Sequence, residues 1–112
     1  MRLVSTKRFG VVVLALALAG APRAARAETA AEHQVEAQRL YGEGNFREAL
    51  AHYERAHALA PDAAFLYSIA RCRHGLGELE EAVAGYDRYL AAEKDDADGI
   101  AKARGRREEA LA

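Results

Sequence analysis

One stretch of this chain occurs twice. Glu43–Leu59 reads EGNFREALAHYERAHAL and Leu76–Ala92 reads LGELEEAVAGYDRYLAA, an offset of 33 residues. Seven of 17 positions are identical: Gly44/Gly77, Glu48/Glu81, Ala49/Ala82, Ala51/Ala84, Tyr53/Tyr86, Arg55/Arg88 and Ala58/Ala91. Phe46/Leu79 and Leu50/Val83 are conservative matches. A period of this length marks a stacked array. Each unit is too small to bury its own apolar face and needs its neighbour to do so.

Within each copy the period is helical. Phe46, Ala49, Leu50, Tyr53, Ala56 and Leu59/Ala60 form one stripe at the i, i+3, i+4, i+7 spacing. The pattern predicts five helices, over about 30–41, 46–60, 63–74, 79–92 and 97–111. The glycine pairs Gly42/Gly44 and Gly75/Gly77 end the first and third. Pro61 closes the second, and Asp62 suits an N-cap. Inward positions are Phe65, Leu66, Ile69, Ala70 and Leu76 on the third helix, and Leu79, Ala82, Val83, Tyr86 and Leu90 on the fourth. The fifth, behind the acidic turn of Asp95, Asp96 and Asp98, offers Ile100, Ala103 and Leu111. Alanine, the best helix former, supplies 20 of residues 28–112, and no alternating strand pattern appears. The expected class is all-α, an array of antiparallel helix hairpins.

Residues 1–27 have a different composition. Arg2, Lys7, Arg8, Arg23 and Arg26 are basic and none is acidic. The uncharged run Phe9–Ala21 is too short for an ordinary membrane-spanning helix of about 20 residues, and it suits the apolar core of an export signal. Ala25-Arg26-Ala27 places small residues at −3 and −1, so cleavage is expected after Ala27. Arginine outnumbers lysine thirteen to three, which fits a GC-rich bacterial genome, and the expected location is periplasmic or secreted. The chain left after cleavage, 28–112, has 11 basic and 17 acidic residues, a net charge of −6. That balance argues against nucleic acid as a partner. The single Cys72 can form no disulfide within the chain and reads as a small buried apolar residue.

The repeat resembles the tetratricopeptide repeat. Its first copy carries Ala37, Gly44, Phe46, Ala49, Tyr53, Ala56 and Pro61, and its second Leu66, Ile69, Ala70, Gly77, Leu79, Ala82 and Tyr86. The resemblance covers about residues 30–92 and implies a repeat over 28–62, a second over 63–95 and a capping helix over 96–112. Two departures stand out. His33 and Glu36 occupy positions where the family has bulky apolar residues, which fits an eroded or shifted first repeat or a loosely packed end of its first helix. Tyr89 stands where alanine is usual.

Catalytic patterns are absent. No phosphate loop, Gly-x-Ser-x-Gly, His-Glu-x-x-His or Cys-x-x-Cys occurs. His52 and His57 are five apart, so they do not share a helix face as a metal pair would. The expectation is a non-enzymatic protein with no cofactor, no metal and no small-molecule substrate. The family resemblance implies a groove lined by the first helix of each hairpin, here Gln34, Gln38, Tyr41, Tyr67, Arg71 and His74. Tyrosine and arginine are the residue types that dominate interface energetics, and Arg71 favours a carboxylate-bearing segment. Two functions fit: a module that binds a protein or peptide partner, as a small envelope adaptor, or a structural protein that forms homo-oligomers through its repeats.

Overall fold

The computed structural model describes residues 27–112. The expected apolar run, Phe9–Ala21, lies outside the described residues. Five helices follow one another: α1 Ala30–Gly42, α2 Phe46–Leu59, α3 Ala63–Gly75, α4 Leu79–Ala92 and α5 Ala97–Leu111. They match the expected spans to within a residue at each end. Each helix packs chiefly on the one before it and the one after it. The result is an all-helical, tetratricopeptide-like array of antiparallel pairs. No described helix is long and apolar enough to cross a membrane.

The turns repeat as faithfully as the helices. After α1, Gly44 takes φ +81°, its N–H bonding to the Tyr41 carbonyl and the Asn45 N–H to that of Leu40. After α3, Gly77 takes φ +76°, its N–H bonding to the His74 carbonyl and the Glu78 N–H to that of Arg73. Both are helix ends closed by a left-handed residue, a conformation glycine adopts without steric cost. At the helix starts the side chains of Thr29, Asp62 and Asp96 accept from the backbone N–H groups of Glu32, Ala64 and Gly99 at 3.2, 2.9 and 3.0 Å. Each satisfies one donor that the first turn cannot.

Two apolar clusters follow from this stacking. Ala37, Leu40, Ala49, Leu50, Tyr53, Ala56, Phe65 and Cys72 form the first, and Ala70, Ala82, Tyr86, Tyr89 and Ala103 the second. Ala37 and Ala49 are fully buried, as are Ala70 and Ala82, so each hairpin closes on small residues. Tyr53 and Tyr86 are buried equivalents. Tyr89 is also buried, so the residue that departs from the family pattern belongs to the core.

Three expected inward residues are exposed instead: Leu59 at 55 %, Leu79 at 44 % and Leu111 at 60 %. Ala60 is exposed as well. Leu59 ends α2, Leu79 begins α4 and Leu111 ends α5. At helix termini the apolar stripe runs past the neighbour that would cover it. The first helix is corrected in the other direction. His33 is only 5 % exposed and so is not loosely packed.

Burial also sets an alkaline limit on stability. It pushes the Cys72 thiol up to about 12 from an ordinary 9.0, with Arg71 and Arg73 pulling less strongly the other way. It pushes the Tyr86 phenol up to about 12 from 10.0. Both groups stay neutral in the folded chain at pH values where the unfolded chain ionises. Their contribution is complete below pH 9 and is lost as pH climbs toward 12. The melting temperature should therefore fall steadily above pH 9. A flat profile across that window in thermal melts would contradict the burial of both groups.

Candidate functional site

Side chains from α1, α3 and α5 meet on one face. The Arg71 guanidinium carbon lies 4.5 Å from the centre of the Tyr41 ring and 5.8 Å from that of Tyr67. This is cation–π range, where a guanidinium is held by ring faces and not by an opposite charge. Tyr67 also packs against Tyr86 and Tyr89, with ring centres 6.0 and 5.4 Å apart. His74 Nδ1 hydrogen-bonds the Tyr86 hydroxyl at 3.1 Å. Tyr41 in turn packs on Phe46, at 5.0 Å between ring centres. Four of the six expected residues, Tyr41, Tyr67, Arg71 and His74, thus form one connected group resting on the core. All four are half-buried. Gln34 and Gln38 precede Tyr41 on α1, the first half-buried and the second exposed. Among the described residues no side-chain hydrogen bond joins either of them to the group.

A residue not foreseen from the sequence joins them. Arg106, on α5, donates its Nε–H to the Tyr67 hydroxyl at 2.8 Å. The available signal was the 33-residue offset itself. Ala103 follows Ala70 and Ala37 at that spacing, and all three are fully buried. Helix α5 therefore continues the register of α1 and α3, which brings its side chains to the same face.

Charge is distributed unevenly around this group. Of the four half-buried arginines among the described residues, two meet acids. Arg73 lies 3.4 Å from Glu78 and 4.0 Å from Glu54, and Arg107 lies 2.5 Å from Asp87. The other two, Arg71 and Arg106, meet tyrosines and no carboxylate among the described residues. Arg71 Nε is buried without a hydrogen-bond partner.

A second cluster sits where α1 meets α2. His33 Nδ1 lies 3.0 Å from His52 Nδ1, and His33 Nε2 lies 3.0 Å from Glu28 Oε2. One hydrogen between the two Nδ1 atoms satisfies both of those nitrogens, so buried His33 is a paired polar residue at an apolar position. A cavity of about 340 Å³ opens beside it, lined by Glu28, Glu32, His33, Glu36 and His52. Glu36 also pairs with Arg39, and that hydrogen bond holds its carboxyl below the usual range. His57 stands apart and accepts from the Asp62 backbone N–H at 3.4 Å. Among the described residues no three His, Cys, Asp or Glu side chains gather as a metal ion requires.

The sequence pattern of the tetratricopeptide repeat matches residues 40–106, more than half of the chain. The chain belongs to the tetratricopeptide repeat family. No curated protein and no solved structure matches it. The match begins near the end of α1 and continues into α5 as far as Arg106. It leaves out the stretch of α1 with His33 and Glu36, and it includes much of the helix set aside above as a cap. Tetratricopeptide repeats are typically non-catalytic binding modules, and membership of the family implies protein–protein interaction in general for this chain.

Proposed function

We propose that this protein is an exported bacterial adaptor of the cell envelope, cleaved after Ala27. It binds a segment of a protein partner through the face that carries Gln34, Gln38, Tyr41, Tyr67, Arg71 and His74, and α5 caps the array. The observation that carries the binding reading is the Tyr41–Arg71–Tyr67 group. Two rings and a guanidinium stand half-buried, where a partner gains contact area without first ordering them. Export rests on the composition of residues 1–27. A groove of two hairpins is short, so affinity in the micromolar range is expected, on the order of −8 kcal/mol.

A photo-crosslinking amino acid placed in living cells tests both parts. Substituted for Gln38, it should capture a partner, and adducts should begin at Glu28 on N-terminal sequencing. At Arg88 or Glu81, both exposed on α4, it should capture nothing. Capture from α4 alone would move the site to the other face, and adducts retaining Met1 would remove the export reading. The second reading, self-assembly, draws on the exposed Leu59 and Leu79. Crosslinkers at those two positions would then give homo-oligomers, and the Gln38 position would stay silent.

A further inference from the structure

We infer that the segment bound at this face is acidic, and that Arg71 and Arg106 together receive its carboxylates; this rests on the binding face proposed above. The argument begins with charge. Residues 28–112 carry six more acids than bases, so an arginine in this domain has carboxylates to choose from. Arg39 pairs with Glu36 and Glu43, Arg47 with Glu78, Arg73 with Glu78 and Glu54, and Arg107 with Asp87. Lys94, Lys102, Arg55, Arg88 and Arg104 have no such partner but are exposed, where water solvates the charge. Arg71 and Arg106 alone among the described residues combine partial burial with the lack of an acid.

Partial burial makes that lack costly, because a guanidinium withdrawn from water is compensated best by an anion. Tyrosines substitute only in part. For Arg71 they supply ring faces, at 4.5 and 5.8 Å, and its Nε has no acceptor. Only its Nη donors are left to reach one. For Arg106 the Tyr67 hydroxyl takes Nε–H at 2.8 Å, again leaving the Nη donors. The two cations flank the same Tyr67 ring, one over its face and one at its hydroxyl. Neutral acceptors would serve either arginine weakly, while carboxylates form the shorter, charge-assisted bonds that planar guanidinium groups favour. Tyr41 and Tyr67 would meanwhile pack against the apolar side chains between the acids.

Random peptides displayed on phage and selected against the purified full-length protein should be enriched in Asp and Glu. The most enriched peptide, labelled for fluorescence anisotropy, serves as the probe. Its counterpart with every Asp and Glu changed to Asn and Gln should bind about tenfold more weakly or worse, and wild-type affinity should fall as salt is raised. Arg106→Gln and Arg71→Gln should each weaken the acidic peptide about tenfold, and the amide counterpart by a clearly smaller factor. Should Arg71→Gln unfold the chain on melting, Arg106→Gln carries the test alone. Selected peptides without acid enrichment, or an amide counterpart that binds equally well, overturn the inference. If such peptides still lose affinity on Tyr67→Ala, the binding face stands and only its ligand chemistry was wrong. A selection in which no peptide responds to Tyr67→Ala, Arg71→Gln or Arg106→Gln removes the face and the inference together.

Discussion

Tyr86→Ala should cost about 3–5 kcal/mol, the range for truncating a large aromatic in a core. Tyr86 is the largest fully buried side chain among the described residues, and its ring closes the second hairpin against Ala70, Ala82, Tyr89 and Ala103. Three of those four are alanines, too small to refill the space, and Tyr67 and His74 would lose the ring they pack on. The loss is a large fraction of the whole stability of a small domain, about 5–15 kcal/mol, so the variant should unfold at a much lower urea concentration than wild type. Tyr86→Phe keeps the ring and gives up only the 3.1 Å hydrogen bond to half-buried His74, a loss of about 1 kcal/mol. Urea titration followed by circular dichroism separates the two. Tyr53→Ala should behave like Tyr86→Ala, because the two tyrosines hold one position in successive repeats. If both alanine variants unfold at the wild-type midpoint, the packing described here is wrong.

The second large effect concerns Gly85. A Cβ placed there would lie 2.8 Å from the Ala70 Cβ and 3.2 Å from its Cα, closer than carbon atoms approach without something moving. Helices α3 and α4 cross at this point, and absence of a side chain is what lets them do so. Gly85→Leu should therefore destabilise by about 1–3 kcal/mol through overpacking, despite leucine's better helix propensity. Gly105 provides the contrast. It lies within α5 with open space around its Cα, so Gly105→Ala should stabilise by about 0.5–1 kcal/mol. Thermal melts of the two variants should move in opposite directions. A Gly85→Leu protein as stable as wild type would mean that the second hairpin does not close on Ala70.

The first hairpin solves the same crossing differently. Counting back 33 residues, Gly85 corresponds to His52 and Leu66 to His33. At the two positions where the second hairpin has a glycine and a leucine, the first has two imidazoles whose Nδ1 atoms lie 3.0 Å apart, with Glu28 on the far side of His33. Read as a departure from a family pattern, His33 suggests erosion. Its pairing with His52 gives it a coherent packing role, visible only once both helices are in place.

Helix positions, the repeat and the closing tyrosines were all legible in the linear chain, because they depend on local rules. Periodicity defines a face, glycines with positive φ define the turns, and Thr29, Asp62 and Asp96 define the starts. Four of the six expected site residues also came out in contact, since the face they share is dictated by helical spacing within α1 and α3. Tertiary structure decided what depends on neighbours distant in sequence. Leu59, Leu79 and Leu111 follow the apolar stripe yet stay exposed, because burial needs a covering helix and each lies at a helix terminus. Arg106 is one of several charged residues on a polar helix until α5 docks on α4 and carries it to Tyr67, 39 residues away along the chain. Which arginines find acids and which find only tyrosines is likewise a property of the assembled array, for charge pairing depends on distances that sequence spacing does not contain.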